Sequence, residues 1–299
     1  GNPARRVALA AGLPERVAGL STDRQCAGGL DAILLARALV DSGAAEIVLA
    51  GGVESYSRRP LRLATDPDGG PPQPYDEAPF TPWPERDPGM TKAAAALADR
   101  LGISRDRQEG WARASHAKSA QIEHWGEIVP LAGVSRDAFP RLLSPGLLAR
   151  AKVLAGSITT ATAAVAADGA AVCLVVSDRI AQGRGLAILD GATLGAAPEE
   201  PGLAPLAAIR RIWRGETLAQ AEIMEAYAVQ ALAVIDGAGL DPAIVNPKGG
   251  GLARGHPIGA SGAILAVRLF HDLKQGRGLA AIAAAGGIGT ALLVEASGA

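Results

Sequence analysis

The sequence predicts an α/β fold, and three observations carry that prediction. The 299 residues are 48% hydrophobic but only 3% aromatic, so the core must be built from Ala, Val, Leu and Ile rather than stacked rings. Glycine is abundant, at 38 residues, and clusters in junction-like segments that suit tight strand-to-helix turns. Helix-length and strand-length patterns alternate along the chain, the rhythm of a largely parallel α/β arrangement.

Taken in order, Asn2 to Gly12 reads as a helix with Ala4, Val7, Ala8 and Ala11 on one side, stopped by Gly12 and Pro14. The extended segment Arg16–Ser21 reads as a strand feeding a helical run from Ala27 to Val40, with Cys26 at the junction. Ala45–Ala50 has a buried-strand pattern ending in Gly51-Gly52. From Arg58 to Pro88 proline and glycine crowd the chain, which predicts an irregular surface excursion, either a pocket wall or lid or an ordered connector. Helices follow at Met90–Leu101 and Ser104–Trp125, with Ser104 as a helix start. A short strand is expected at Ile128–Leu131. Ala170–Ser177 is expected to be a strand buried on both faces, which gives Cys173 a structural role.

The rhythm restarts at Leu186. A strand is expected at Ala187–Leu194, helices around Leu203–Trp213 and Glu225–Gly237, a glycine-rich loop at Asn246–Gly251 and a helix at Ala260–Leu273. Two strands, Ala280–Ile282 and Ala291–Val294, bracket Gly286-Gly287-Ile288-Gly289. The coarse recurrence of strand, junction, long helix and strand predicts a duplicated α/β unit.

Composition excludes several function classes. A net charge of −1 with no basic block argues against nucleic-acid binding. The cysteines, Cys26 and Cys173, do not make a secreted disulfide framework, and no Cys/His cluster has metal-ligand spacing. With no signal-peptide pattern and no bilayer-length apolar run, the expectation is a cytoplasmic chain without membrane partners.

Two residues stand out chemically. Cys26 lies where a strand meets a helix, and unpaired N–H groups with the positive dipole end favour thiolate there. Gly28 and Gly29 remove side chains where a ligand would approach the sulfur. The alternative is a small buried apolar residue at a helix start. Among the histidines, His116, His124 and His271 fall in amphipathic helical patterns and read as solvated or partly buried. His256 instead lies in Arg254-Gly255-His256-Pro257-Ile258-Gly259, a stiff glycine-flanked loop leading into a helix. It is a usable general base for a thiol, or else a turn histidine capping a helix.

The segments Arg24-Gln25-Cys26-Ala27-Gly28-Gly29-Leu30-Asp31-Ala32-Ile33, Gly51-Gly52-Val53-Glu54-Ser55 and Gly249 to Gly262, which contains Gly255-His256-Pro257, together closely resemble the thiolases. Gly102-Ile103-Ser104-Arg105, Glu127-Ile128-Val129-Pro130, Asp168-Gly169-Ala170-Ala171 and Gly286-Gly287-Ile288-Gly289-Thr290-Ala291 follow in the family's order, so the resemblance covers essentially the whole chain.

That resemblance implies a five-layer α/β fold of two similar halves with an inserted loop region. The expected division is an N-terminal half over 1–57 and 90–180, including part of the loop domain, a Pro/Gly-rich loop at 58–89 and a C-terminal half over 181–299. It implies an acyltransferase whose substrate is a coenzyme A thioester, with no bound cofactor and no metal. Cys26 corresponds to the acylated nucleophile and His256 to its base. The backbone N–H groups of Cys26 and Ala285 correspond to an oxyanion hole. Met90, Met224 and Tyr227 are candidate acyl-pocket residues, with core packing as the alternative.

The chain departs from the family at two further positions. The family's second cysteine corresponds to Ala283, and its water-positioning asparagine to Met224. The expectation is therefore acyl transfer to Cys26 with carbon–carbon bond chemistry impaired. The alternatives are an ordinary acetyl-CoA C-acyltransferase with a substitute base, or a catalytically silent thiolase-like subunit of a complex. The family also carries a further segment ahead of the part matching Asn2. A homo-oligomer, dimer or tetramer, is expected, with a partner chain as one way to supply that segment.

Overall fold

The computed structural model describes residues 1–296. Its helices are α1 (Pro3–Ala10), α2 (Gly28–Asp41), α3 (Met90–Leu101), α4 (Arg105–Ala120), α5 (Pro145–Ala149), α6 (Asp178–Ala181), α7 (Ala204–Ile212), α8 (Ala228–Ala238), α9 (Gly251–Arg254) and α10 (Ile258–Asp272). Its strands are β1 (Ile47–Ser55), β2 (Leu63–Ala64), β3 (Gln73–Pro74), β4 (Val153–Ala155), β5 (Ile158–Thr159), β6 (Asp168–Val176), β7 (Leu186–Gly195), β8 (Gln220–Ile223), β9 (Gly276–Ala284) and β10 (Ile288–Ala296).

Local chemistry explains the helix limits. Asn2 caps α1 by accepting from Arg5 N, and Ser104 caps α4 by accepting from Arg107 N. α3 stops at Gly102, which takes the left-handed conformation at φ +63°. Helix α4 ends at Ala120, so His124 and Trp125 lie beyond it rather than inside a helix.

Pairing is mostly antiparallel, not parallel as the alternating rhythm predicts. β1 and β6 pair antiparallel from Ile47↔Val176 to Ser55↔Asp168. The other main sheet has the order β7-β10-β9-β8, and only β8–β9 is parallel. The reason lies in the connections. β9 and β10 are joined by the tight Ala285–Gly287 turn, which permits only an antiparallel hairpin.

Helices α2 and α10 lie between these two sheets, and α7 covers the far side of the larger one with α8 beside it. Leu30 and Ile33 of α2 are buried in a core shared with Leu265 and Leu269 of α10 and Ile282, Leu292 and Val294 of the sheet. Each such side chain contributes about 1.5–3 kcal/mol of burial free energy. The helices approach backbone to backbone. A Cβ on Gly29 would sit 2.7 Å from Ala263 N, and one on Gly262 would sit 2.6 Å from Leu30 N. This crossing brings the start of α2, and with it Cys26, to the start of α10, and with it His256.

Four other expectations change. Arg16–Ser21 is irregular and joins no sheet among the described residues, and Ile128–Leu131 contributes a single bridge, Leu131↔Val134. β6 is not buried on both faces: Val172 and Leu174 point outward and are exposed, as are Ile47, Leu49 and Val53 of β1. The inward side carries Cys173, which packs against the core opposite Ala50, and burial pushes its thiol up to about 11. Finally, His116 is buried, at 4% exposure, whereas His124 and His271 are exposed.

Candidate active site

The site forms where three backbone segments converge. The first is a short 3-10 turn, Gln25–Ala27, directly ahead of α2. Gln25 holds φ +49°, a left-handed conformation uncommon for a side chain of that size. Asp23 Oδ1 accepts from Gln25 N at 2.8 Å and fixes that bend. Strain of this kind concentrates at functional positions, and here it immediately precedes the cysteine.

The second segment is the loop between α9 and α10. His256 N donates to Val165 O at 2.8 Å, and His256 O accepts from Ala167 N at 3.2 Å, which locks the residue's backbone. Its ring Nε2 lies 3.3 Å from Cys26 Sγ, and its Nδ1 lies 2.7 Å from Ser261 Oγ. Ser261 Oγ also donates to Pro257 O at 3.1 Å. A hydroxyl has one proton to give, so with that proton on Pro257 O the oxygen accepts Nδ1–H. The tautomer assigned by this network leaves the Nε2 lone pair facing the cysteine thiol. The geometry is that of a thiol poised to hand its proton to an imidazole.

The third segment is the β9–β10 turn. β9 packs against the Gln25–Ala27 turn, and Ala285 follows its last residue. Among the described residues neither Cys26 N–H nor Ala285 N–H donates to a backbone carbonyl outside the helices and strands, and Cys26 N–H bears on its own sulfur.

The electrostatics correct one expectation. Burial pushes the Cys26 thiol up to about 12; its own N–H opposes this, while Glu54 and Asp23 add to it. Burial likewise holds His256 down, at about 4. The dipole argument alone favours thiolate, but α2 begins only at Gly28 and desolvation is the larger effect. The resting pair is neutral thiol and neutral imidazole. Gly29 needs a second correction: its missing side chain serves the α2–α10 crossing, whereas the space at Gly28 is open.

Tyr227 hydroxyl lies 2.9 Å from Thr91 Oγ1 in the first turn of α3, and burial pushes its pKa above the ordinary phenol value. Met90 is the first residue of α3 and is partly buried. Met224 is buried at 3% exposure in the core against which Cys26 packs. Ala283 lies in β9 opposite Gly289 and carries only a methyl group. Among the described residues no group of three or more His, Cys, Asp or Glu could hold a metal ion, and no helix is long and apolar enough to cross a membrane.

Three contributions were not anticipated from the sequence. Ser261 sets the histidine tautomer; its position five residues after His256, on the first turn of the next helix, was the available signal. Glu54 Oε2 accepts from Gly259 N at 3.1 Å and ties β1 to the start of α10. Glu225 is fully buried and accepts from Trp111 Nε1, Ser115 Oγ, Asn246 Nδ2 and Leu252 N, at 2.8 to 3.2 Å. It thereby joins the Met224–Tyr227 segment to α4 and α9. No feature of the sequence distinguished that carboxylate from a solvated one.

Known proteins match this chain along nearly its whole length. Residues 1–179 match the family model for the thiolase N-terminal domain, and residues 185–296 match the thiolase C-terminal domain. The chain is 36% identical to a putative acetyl-CoA C-acetyltransferase, YhfS, of Bacillus subtilis, over 99% of this chain and 84% of that protein. It is also 36% identical to the acetyl-CoA acetyltransferase of Cupriavidus necator, over 98% of this chain and 84% of that one. Among solved structures, the Ascaris suum Acat5 thiolase in complex with coenzyme A superposes at a TM-score of 0.89 with 29% identity, over 99% of this chain and 84% of that one. Both halves match in sequence and in three dimensions, and the cysteine and histidine motifs sit together where the two halves meet. This chain, with its α/β fold, therefore belongs to the thiolase family.

Proposed function

We propose that this protein takes an acyl group from a coenzyme A thioester onto Cys26, with His256 as the base. Membership of the family makes it an acyltransferase, and its relatives are acetyl-CoA acetyltransferases. The 3.3 Å approach of His256 Nε2 to Cys26 Sγ, with the tautomer set by Ser261, is the observation that carries the reading.

Cys26 Sγ attacks the thioester carbonyl as its proton passes to His256 Nε2. Because both groups rest neutral, proton transfer accompanies carbon–sulfur bond formation rather than preceding it. The backbone N–H groups of Cys26 and Ala285 receive the developing oxyanion. Collapse of the tetrahedral intermediate expels coenzyme A, whose thiolate recovers the proton from the imidazolium. An S-acyl enzyme remains.

The carbon–carbon step is impaired in this reading. It requires a base at the acceptor's α-carbon, and Ala283 has no proton to exchange. Met224 offers a thioether and no amide to order a water. Loss of a general base costs typically about 10²- to 10⁴-fold, and loss of an oxyanion donor about 10²- to 10³-fold. The acyl group then passes to another acceptor or to water. A cytoplasmic homo-oligomer is the matching assembly.

The test is intact-protein and peptide mass spectrometry after incubation with acetyl-CoA, followed by an acetoacetyl-CoA thiolysis assay. An acetyl adduct is expected on Cys26 and absent in Cys26→Ala. A folded protein that acquires none overturns the acyltransferase reading for this site. Thiolysis at an ordinary enzyme turnover, on the order of 10 s⁻¹, overturns the impairment.

A further inference from the structure

Arg254 lies two residues before His256 in a sequence position where apolar surroundings make a charge conspicuous. Its side chain is 8% exposed and is engaged on several sides by one stretch of chain between α4 and α5. Nη2 donates to Glu127 Oε1 at 2.8 Å, and Nε donates to Asp137 Oδ2. The guanidinium also sits over the Trp125 ring, 4.5 Å from its centroid. Glu127 is itself only 5% exposed, and its carboxyl is held low: burial opposes, but its own N–H and Arg254 outweigh it.

The same stretch presses on the catalytic loop from a second point. Gly255 holds φ +94°, and a Cβ there would lie 3.0 Å from both Phe139 and Ala167. Its backbone is thus pinched between the 125–139 segment and the 163–167 segment. On the 163–167 side, His256 is secured by its two backbone hydrogen bonds. On the other side, Gly255 has Phe139, and the Arg254 side chain one residue earlier holds Trp125, Glu127 and Asp137.

We propose that Arg254 is a positioning residue that clasps the Trp125–Phe139 segment against the catalytic loop, keeping water from His256 and from an acyl group on Cys26. It acts through that segment and not on the substrate. The inference rests on the reading of Cys26 and His256 as the reacting pair. The groups that face this pair are Ser261 from α10, Glu54 from β1, Asp23 ahead of the Gln25–Ala27 turn and Tyr227 ahead of α8. None of these is removed by the variants below.

The experiment follows iodoacetamide alkylation of Cys26 against pH, read by peptide mass, in the full chain and in Arg254→Met. Hydrating the pair moves imidazole and thiol back toward their ordinary values, so the variant's profile is expected to shift to lower pH by about one unit, a tenfold change in the protonation equilibrium. The acetyl-enzyme, isolated after acetyl-CoA treatment, is expected to hydrolyse about tenfold faster, by the same change in access. Arg254→Lys, which keeps the charge but not the fork, should fall between the two. A variant that melts earlier while profile and lifetime stay in place overturns the proposal and leaves a purely structural clasp. Asp137→Asn and Glu127→Gln remove one partner each and carry the same test if Arg254→Met does not fold. His256→Ala in the parallel series separates the two readings: a profile unmoved by that change refutes the reacting pair rather than the clasp.

Discussion

The two walls of the site differ in how much polar machinery they hold. On the side of Cys26, the thiol is connected through His256 and Ser261 to the carbonyl of Pro257. Every member has a partner, and the chain of donors runs in one direction. On the side of Ala283 and Met224, the corresponding positions present a methyl group and a thioether packed in the core. The backbone at both walls is nevertheless held with equal care. Glu225 anchors the segment after Met224 with hydrogen bonds to α4, Asn246 and α9, and β9 is paired along its length to β10. If the proposed reading holds, the scaffold for a two-step reaction is preserved at positions whose side chains serve only one step. Position is maintained by backbone and buried charge, and chemistry is set by a few side chains that change independently of it.

The largest test of that contrast is to return a thiol to the second wall. Ala283→Cys needs little room, since the residue is only partly buried and extends the side chain by one atom. It is expected to raise acetoacetyl-CoA thiolysis by about 10²-fold, the lower end of what a positioned base supplies. Acylation of Cys26 should stay within a few-fold. A gain in neither would mean that the wall differs in geometry as well as in composition.

A smaller change breaks the first wall without touching the reacting atoms. Ser261→Ala removes the acceptor of Nδ1–H and so releases the tautomer. The single-turnover acylation rate is expected to fall about tenfold, roughly 1.4 kcal/mol of barrier. The variant also loses the Ser261–Pro257 bond, with a net stability loss near 1 kcal/mol. Comparing acylation with the melting transition separates the effects. Full-rate acylation by a slightly destabilised protein would show that the backbone bonds of His256 orient the ring unaided.

What the sequence made legible follows the same division. α3 runs from Met90 to Leu101 as its pattern predicts, and Ser104 caps α4, because those signals are local. The β9–β10 hairpin was visible for the same reason. β8 was not, since Gln220-Ala221-Glu222-Ile223 reads as polar although all four residues are buried. Its Glu222 faces Arg268 at 3.2 Å inside the protein, and hydropathy cannot see a partner 46 residues away. Cys26 and His256 were legible as residue types in glycine-rich junctions. Their protonation was not, because it depends on desolvation by segments far away in sequence. The clasp on Arg254 escaped for that reason too: Trp125, Glu127 and Asp137 lie in a stretch that reads locally as a helix end and a short strand, and no local pattern links them to an arginine far along the chain.

The smallest expected effect compares two histidines rather than two walls. His256 and His116 are both held down at about 4, each chiefly by burial. His116 faces no thiol. Its Nδ1 accepts from Arg141 N at 3.3 Å, Arg141 adds a repulsion, and Leu252 opposes the shift. Both rings are neutral in the folded and the unfolded chain well above pH 6.5, so neither affects stability there. As pH falls below 6.5 the unfolded chain takes up protons that the folded chain refuses, and stability declines until the folded rings titrate near 4. The slope per histidine is below the roughly 1.4 kcal/mol per pH unit that complete exclusion of the proton would give. Urea unfolding midpoints between pH 7 and 4.5 are expected to drop less steeply in His116→Gln than in the parent chain, with acylation at neutral pH close to the parent rate. The converse holds for His256→Gln: the same partial flattening of the pH slope, with acylation lost at every pH. Parallel slopes in all three proteins would place the acid-sensitive groups elsewhere and show that both rings accept a proton without leaving the folded structure.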